Sequence, residues 1–318
     1  MHLAGTFADP AFHGMLVADQ VRCAAYSDAI AAAVQAGDAV LDIGSGSGLL
    51  SLFACQAGAR KVYSVERTPI IKLARKLAAA NGYADRIEFI EADLITVELP
   101  ERVNLVVSEL MSQAIFGQHL ERLTAHARQN FLVDGGKMLP GRVMYSAMPV
   151  DAESDRRRRW PSTDAYQLNL RPLVEAIAHR PMPLKLSKQL PLSSPELIYT
   201  YDGYSCDGRA RIRAQADYVI EQSGSFSGVA AWFDADLGGG IRLGNQQDNI
   251  SWANVLFPIA EAVAVKPGAR VEFKLNGFEP EQGPPQFEWA FRLWADEHAV
   301  EPITTARYST VAGAWLVS

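Results

Sequence analysis

Residues 39–48 read Ala-Val-Leu-Asp-Ile-Gly-Ser-Gly-Ser-Gly, and this stretch constrains the chain more than any other. Ala39 to Ile43 is a short apolar run closed by glycines, the pattern of a strand buried on both faces. Gly44, Gly46 and Gly48 let the backbone turn sharply and approach a bound molecule with no Cβ in the way. Gly48 to Ala57 then reads as a helix, ended by Gly58. Val62 to Val65 reads as a second strand, Ile70 to Asn81 as a helix, Ile87 to Ile90 as a third strand and Val103 to Ser108 as a fourth. Leu16 to Val34 carries apolar residues at helical spacing, one or two helices leading into the core. Strands alternating with helices predict a doubly wound parallel sheet covered on both faces.

The texture changes after about Val150. Asp155 to Tyr166 reads as charged and irregular, and Leu168 to His179 as one helix. Beyond Pro191 come strand-like runs between Gly- and Pro-rich turns: Gly224 to Phe233, Trp252 to Pro258, Ala269 to Leu275 and Gln286 to Trp294. They predict an antiparallel β-domain. With 318 residues the chain has room for both units.

Composition narrows the partners. A net charge of -6 argues against a surface that tracks phosphates, so nucleic acid is not an expected partner. Cys23, Cys55 and Cys206 have neither disulfide-framework nor zinc-site spacing, which fits a reducing compartment and excludes a cysteine metal site. Met1 to Ala11 lacks the basic start and apolar core of a signal peptide. No unbroken apolar run reaches the roughly 18 residues a membrane helix needs. A cytoplasmic protein with no membrane partner is expected.

The glycine spacing is G-x-G-x-G, not the G-x-G-x-x-G of dinucleotide enzymes, and Asp42 stands just before it. That carboxylate would repel a pyrophosphate and attract the ammonium of S-adenosylmethionine. Glu66 ends the second strand, where an acid can accept both ribose hydroxyls. Asp93, after the third strand, is placed to meet the adenine edge. The expected cofactor is therefore S-adenosylmethionine, leaving as S-adenosylhomocysteine, with no metal.

With these features in view, the chain resembles the protein arginine N-methyltransferases. The likeness is strongest from Leu41 to Pro140 and looser, in the same order, beyond. It implies a Rossmann-like methyltransferase domain at 1–148, then a mainly antiparallel β-barrel domain at 149–318. A helical dimerisation arm, about 155–185 (the matching segment runs from Pro149 to Pro183), implies a homodimer. His13, Asp19, Val21 and Arg22 stand where the family has helices that cover the cofactor. The resemblance implies that Arg22 binds the carboxylate of the methionine moiety and that His13 lines the same pocket. Ser108-Glu109-Leu110-Met111 resembles the start of the family's double-E loop, whose two acids grip a guanidinium.

Here the sequence departs from the family. Glu109 matches the first acid, but the second position is Gln118, whose carboxamide accepts at one end and donates at the other. The neighbours His119 and Glu121 are candidates to replace the lost charge. Ile250-Ser251-Trp252 falls where most members carry Thr-His-Trp, so Ser251 replaces a His that pairs with an acid matching Asp19. Leu16 occupies a position tied to product type, which stays open. The expected activity is N-methylation of an arginine-type guanidine, with Glu109 orienting the nucleophile, Gln118 assisting, and Asp19, Leu16, Ser251 and Trp252 on the acceptor side. The acceptor is free arginine, a small guanidine metabolite, or a peptide or protein arginine. Two alternatives stand beside it: an amine or hydroxyl methyltransferase of small molecules, and a catalytically weak scaffold paralogue. Plainer readings cover the rest. Arg156 to Arg159 is a solvated face, Trp232, Trp252, Trp289 and Trp294 are barrel core, Cys55 is buried, and His126 and His179 lie on helix surfaces.

Overall fold

A computed structural model of the chain describes residues 7–113, 115–246 and 251–310. Two short helices lead in, α1 (Pro10–Ala18) and α2 (Gln20–Ala33). Asp9 caps the first with its side chain on the N–H of Ala11, and Asp19 caps the second on the N–H of Arg22. Tyr26, Ala29, Ile30 and Ala33 of α2 recur at helical spacing and are buried, which seats the helix on the sheet.

The first sheet consists of β1 (Ala39–Ile43), β2 (Lys61–Val65), β3 (Ile87–Ile90), β4 (Val103–Ser108) and β5 (Leu132–Leu139). Its order is β3-β2-β1-β4-β5, parallel throughout. Three helices cross between the strands: α3 (Leu49–Gln56), α4 (Ile71–Ala80) and α5 (Leu120–Asn130). All five residues of β1 are buried, as a central strand covered on both faces must be. Burial of Ile71, Ala74 and Ala78 gives α4 one inward stripe.

The chain then enters antiparallel pairing. β6 (Arg142–Asp151) precedes an arm holding α6 (Glu153–Arg159) and α7 (Arg171–Ala178). After it come β7 (Met182–Leu184), β8 (Leu190–Pro191), β9 (Glu196–Asp202), β10 (Arg211–Val219), β11 (Gly224–Asp236), β12 (Arg242–Gly244), β13 (Asn254–Val265), β14 (Arg270–Phe278), β15 (Gln286–Trp294) and β16 (Thr304–Ser309). One sheet runs β7-β13-β11-β6-β8, with β9 on β6 and β12 on β11; the other runs β10-β14-β15-β16. Their inner faces meet through aromatic rings, Phe226 edge-on to Phe291 at 5.3 Å and Phe257 against Phe273 at 5.8 Å. Offset and edge-on contacts of this kind add to the burial of large apolar area. The result is a barrel-like second unit on a doubly wound first one.

Several readings change. Residues 153–159 form a helix rather than an irregular stretch, and its arginines are not uniformly solvated. Arg156 is buried, its guanidinium 4.5 Å from the Trp160 ring centre and bonded to the carbonyl of Ala260. Arg157 pairs with Glu153 and Arg158 with Asp155 along the helix. Trp232 and Trp289 are core, but Trp294 is only partly buried, and Trp252 lies between the two units. His179 is no bare surface residue: its Nδ1 accepts the N–H of Ser309 at 3.1 Å and its ring packs edge-on to Tyr308.

Candidate active site

The order β3-β2-β1-β4-β5 reverses between β1 and β4, and their carboxyl ends are where such a sheet opens a crevice. Ile43 pairs with Ser108 across those two strands, so Gly44 and Glu109 leave the sheet side by side. A Cβ on Gly44 would lie 3.0 Å from Cδ2 of Leu110. The glycine turn and the loop after β4 are therefore two walls of one cleft.

Gly44, Gly46 and Gly48 take φ of +65°, +54° and +81°, a region costly to residues with a Cβ. A Cβ on Gly46 would come 2.5 Å from Cε1 of His13, and one on Gly48 3.0 Å from Cβ of Ala74. His13 of α1 thus lies directly over the turn, its Nε2 2.8 Å from the carbonyl oxygen of Phe7. Glu66, at the end of β2, is buried; its Oε2 accepts the N–H of Gly46 at 3.1 Å and its Oε1 that of Thr68 at 2.7 Å. Each carboxylate oxygen has a further lone pair for a sugar hydroxyl. A glycine floor, an imidazole cover and a fixed acid at the strand end fit a nucleoside held by its ribose.

The two remaining acids of the expected cofactor set differ in depth. Asp42 is wholly buried beneath the turn, with Oδ2 accepting the hydroxyl of Ser51 at 2.6 Å, so it braces α3 against the turn and offers the cleft no exposed charge. Burial pushes its carboxyl up to about 7, which further weakens it as a fixed anion. Asp93 is exposed, and its Oδ1 accepts the N–H of Ile95 at 3.1 Å to cap the turn at Leu94–Thr96.

Arg22 and Glu109 pair at the other wall of the cleft. Nε and Nη2 of Arg22 donate to Oε2 of Glu109 at 3.1 and 2.5 Å, both side chains nearly sealed from solvent. Oε1 of Glu109 is buried with no hydrogen-bond partner among the described residues. Burial raises the Glu109 carboxyl above the usual range, and the Arg22 charge pulls it back only in part. The remaining Arg22 nitrogen donates to the carbonyl of Leu16 at 3.1 Å, which is where Leu16 enters the site. Trp252 sits against the same guanidinium, 5.8 Å from ring centre to Cζ, and donates its indole N–H to the carbonyl of Met111 at 3.1 Å. Gln118 donates its amide to that carbonyl too, also at 3.1 Å, which leaves its oxygen as the accepting end.

The departure at Ser251 keeps a bond to Asp19. Oδ2 of Asp19 accepts the Ser251 N–H at 2.6 Å and its hydroxyl at 2.8 Å, while Oδ1 caps α2. One carboxylate thus ties the lead-in helix to the second unit; Ile250 lies outside the described residues. Neither neighbour of Gln118 replaces its missing charge. Glu121 is buried and accepts the Tyr199 hydroxyl at 2.9 Å, and His119 faces Glu279. Sequence reasoning missed the second unit's share in shaping the acceptor loop. Tyr145 donates to the carbonyl of Ile115 at 3.2 Å, Gln113 accepts the N–H of Ala253, and Phe116 stacks on Phe287. Among the described residues no cluster of His, Cys, Asp and Glu could hold a metal ion.

The sheet order, glycine turn and acid at the end of β2 are those of a class I S-adenosylmethionine-dependent methyltransferase domain. A family model described as ribosomal protein L11 methyltransferase (PrmA) matches residues 24–143. Protein arginine N-methyltransferase 6 of Danio rerio is 39% identical over 148 residues, 46% of this chain and 42% of that protein. An arginine N(omega)-methyltransferase of Streptomyces achromogenes subsp. streptozoticus is 29% identical over 275 residues, 84% of this chain and 76% of that protein. The PRMT1 enzyme–prozyme heterotetrameric complex of Trypanosoma brucei with AdoHcy superposes with a TM-score of 0.83 at 18% identity, over 96% of this chain and 99% of that one. The chain is thus similar in sequence to arginine methyltransferases and shares its fold with a solved one. It spans less than half the length of several relatives it matches, including the Danio rerio protein.

Proposed function

We propose that the protein transfers the methyl group of S-adenosylmethionine to a guanidine nitrogen of an arginine-type acceptor, with free or peptidic arginine favoured over arginine in a folded protein. The observation that carries this reading is the buried Oε1 of Glu109, without a partner among the described residues, on the loop that also carries Gln118 and walls the glycine-floored cleft. A relative named for arginine matches 84% of the chain, and relatives named for histone arginine match 70%.

When bound, the cofactor supplies a sulfonium methyl that is already a good electrophile, so the protein's contribution is alignment and charge. Glu66 and the turn at Gly44, Gly46 and Gly48 hold the nucleoside, under His13. Arg22 faces the amino-acid end while fixing Glu109 from behind. Oε1 of Glu109 and the oxygen of Gln118 each accept one guanidinium N–H, which sets the plane of the acceptor and draws charge away from the attacking nitrogen. The upward shift of Glu109 also makes it the better base for the proton released.

A labelled-methyl assay against free arginine and arginine peptides, with mass spectrometry of the product, tests this. Label is expected on a guanidine nitrogen, and Gln118→Glu is expected to raise turnover, since restoring the second charge adds about 1–3 kcal/mol to the grip on the cation. Label on an amine or hydroxyl, or none on any acceptor, would refute it.

The reading includes a homodimer through the arm and a cytoplasmic setting, which the three free thiols suit. Tyr166, Leu168 and Leu173 on the arm are 89%, 60% and 51% exposed, and Met15, Val17 and Val21 of the lead-in helices are 52%, 45% and 41%. Apolar side chains exposed together on two such surfaces want a partner. Light scattering is expected to give twice the monomer mass, and Tyr166→Asp with Leu173→Asp to halve it; a wild-type monomer at every concentration would refute the dimer.

A further inference from the structure

Glu279 lies outside the residues assigned so far, as the first residue after β14 in the hairpin to β15. Its side chain is 3% exposed, although no Lys or Arg is paired with it among the described residues. The His119 imidazole stands beside it, Nδ1 3.6 Å from Oε1, and the hydrogen bonding of Glu279 is to backbone. Its Oε2 accepts the N–H of His119 at 3.0 Å, and the N–H of Gly117 lies near enough to favour the ionised carboxylate. Those two peptide groups flank Gln118.

The local backbone explains why an outside acceptor is needed. Gly117 has φ +146° and His119 φ +56°, so the chain makes a tight turn on either side of Gln118 before α5 begins. His119 is the cap residue of α5, yet no side chain of its own segment caps the helix. The first N–H groups of a helix are orphans, and a carboxylate near them is favoured by the helix dipole as well. Glu279 supplies that carboxylate from the other unit. Burial first, and then the nearby Glu121 carboxylate, push its carboxyl up to about 7, and the two N–H groups oppose the shift. The hairpin holds the loop at two more points: Phe116 stacks on Phe287 with ring centres 5.9 Å apart, and Pro285 lies beside Gly117.

We propose that Glu279 is a positioning residue for the acceptor site: from the barrel hairpin it clamps the peptide groups before and after Gln118 and so sets where that amide presents its oxygen. The proposal rests on the reading of Gln118 as an acceptor ligand. It makes the hairpin between β14 and β15 a determinant of acceptor binding, although Glu279 itself touches no acceptor.

Glu279→Gln in the full chain tests it, because the substitution keeps the shape but removes the charge and turns one of the two accepting atoms into a donor. Amide exchange at Gly117 and His119 is expected to quicken at least tenfold. Turnover of the best guanidine acceptor is expected to fall at least fivefold with its KM raised, while S-adenosylhomocysteine affinity stays within twofold. Glu279→Asp, which keeps the charge but shortens the reach, is expected to fall between. In a Gln118→Ala background Glu279→Gln is expected to add nothing, since its effect runs through that amide. Unchanged exchange, or full turnover despite faster exchange, overturns the proposal, as does an additive effect in the double variant. If the wild-type protein methylates no guanidine, the function reading fails on that result, and the exchange rates alone decide whether the clamp exists.

Discussion

Glu109→Gln is expected to lower turnover of a guanidine acceptor about 10²- to 10³-fold, the range seen when one preorganised electrostatic group is removed from a water-excluded site. The loss has two parts. Oε1 is the only buried carboxylate oxygen of the loop left without a partner among the described residues, and the substitution makes that position neutral or a donor. A guanidinium has only donors to offer, so a donor there faces a donor. The second part is proton transfer: burial holds the Glu109 carboxyl above the usual range, so its ionised form gains population only at higher pH than an ordinary Glu. Wild-type turnover is therefore expected to rise with pH through that raised value and fall as pH drops below it, and the variant is expected to lose this limb. Donor affinity is expected to change little, because Arg22 keeps a hydrogen-bonding partner in the carboxamide. The measurement is a pH series of initial rates for both proteins, with calorimetry of S-adenosylhomocysteine binding. Equal rates would mean that Glu109 does not meet the acceptor.

Gly46→Val has the largest expected effect on the cofactor side. Gly46 has φ +54°, where an L-residue costs about 1–2 kcal/mol and a β-branched one more. Its Cβ would come 2.5 Å from Cε1 of His13, so either the cover lifts or the turn swings outward. A swing would also break the bond from the Gly46 N–H to Glu66, misplacing the acid that receives the sugar. Floor, cover and acid are thus disturbed together, and affinity for S-adenosylhomocysteine is expected to drop at least 100-fold, about 2.7 kcal/mol. Gly58→Val is the matched control. Gly58 also has positive φ, +104°, but its Cβ would enter open space, so stability should fall without a comparable loss of donor affinity. Affinity of the Gly46 variant within threefold of wild type would place the nucleoside elsewhere.

Much of the first unit could be read from the chain because its signals are local. The central strands are short apolar runs, and α3 and α4 fall within the helices expected at 48–57 and 70–81, whereas α5 is not read from the chain. The strands at 39–43, 87–90 and 103–108 coincide with their readings residue for residue. Where local signals conflict, the reading falters. Four consecutive arginines look like a solvated face, yet Arg156 is drawn in by the Trp160 ring and a carbonyl from β13. β5 escapes the sequence reading because Gly135 and Gly136 interrupt it, and its pairing with β4 breaks there too, holding at Leu132 and resuming at Lys137.

Asp42 shows the same limit in the site. Its charge and place before the glycines suggest a ligand contact, but depth decides, and the carboxylate is turned down onto Ser51. The acceptor loop is the larger case. Glu109 and Gln118 can be picked out along the chain, but the partners that fix them come from far away: Arg22 from the lead-in helix, Trp252 from the entry to β13, and Glu279 from a barrel hairpin.

The amino-acid sequence alone determined the doubly wound sheet, the glycine turn and the acid beside it, because strand burial, left-handed backbone and strand-end placement are each written within a few consecutive residues. Only the tertiary structure decided the shape and charge of the acceptor pocket. Its loop lacks enough hydrogen-bond partners of its own, and packing of the two units chooses which distant carboxylate, indole or phenol supplies them.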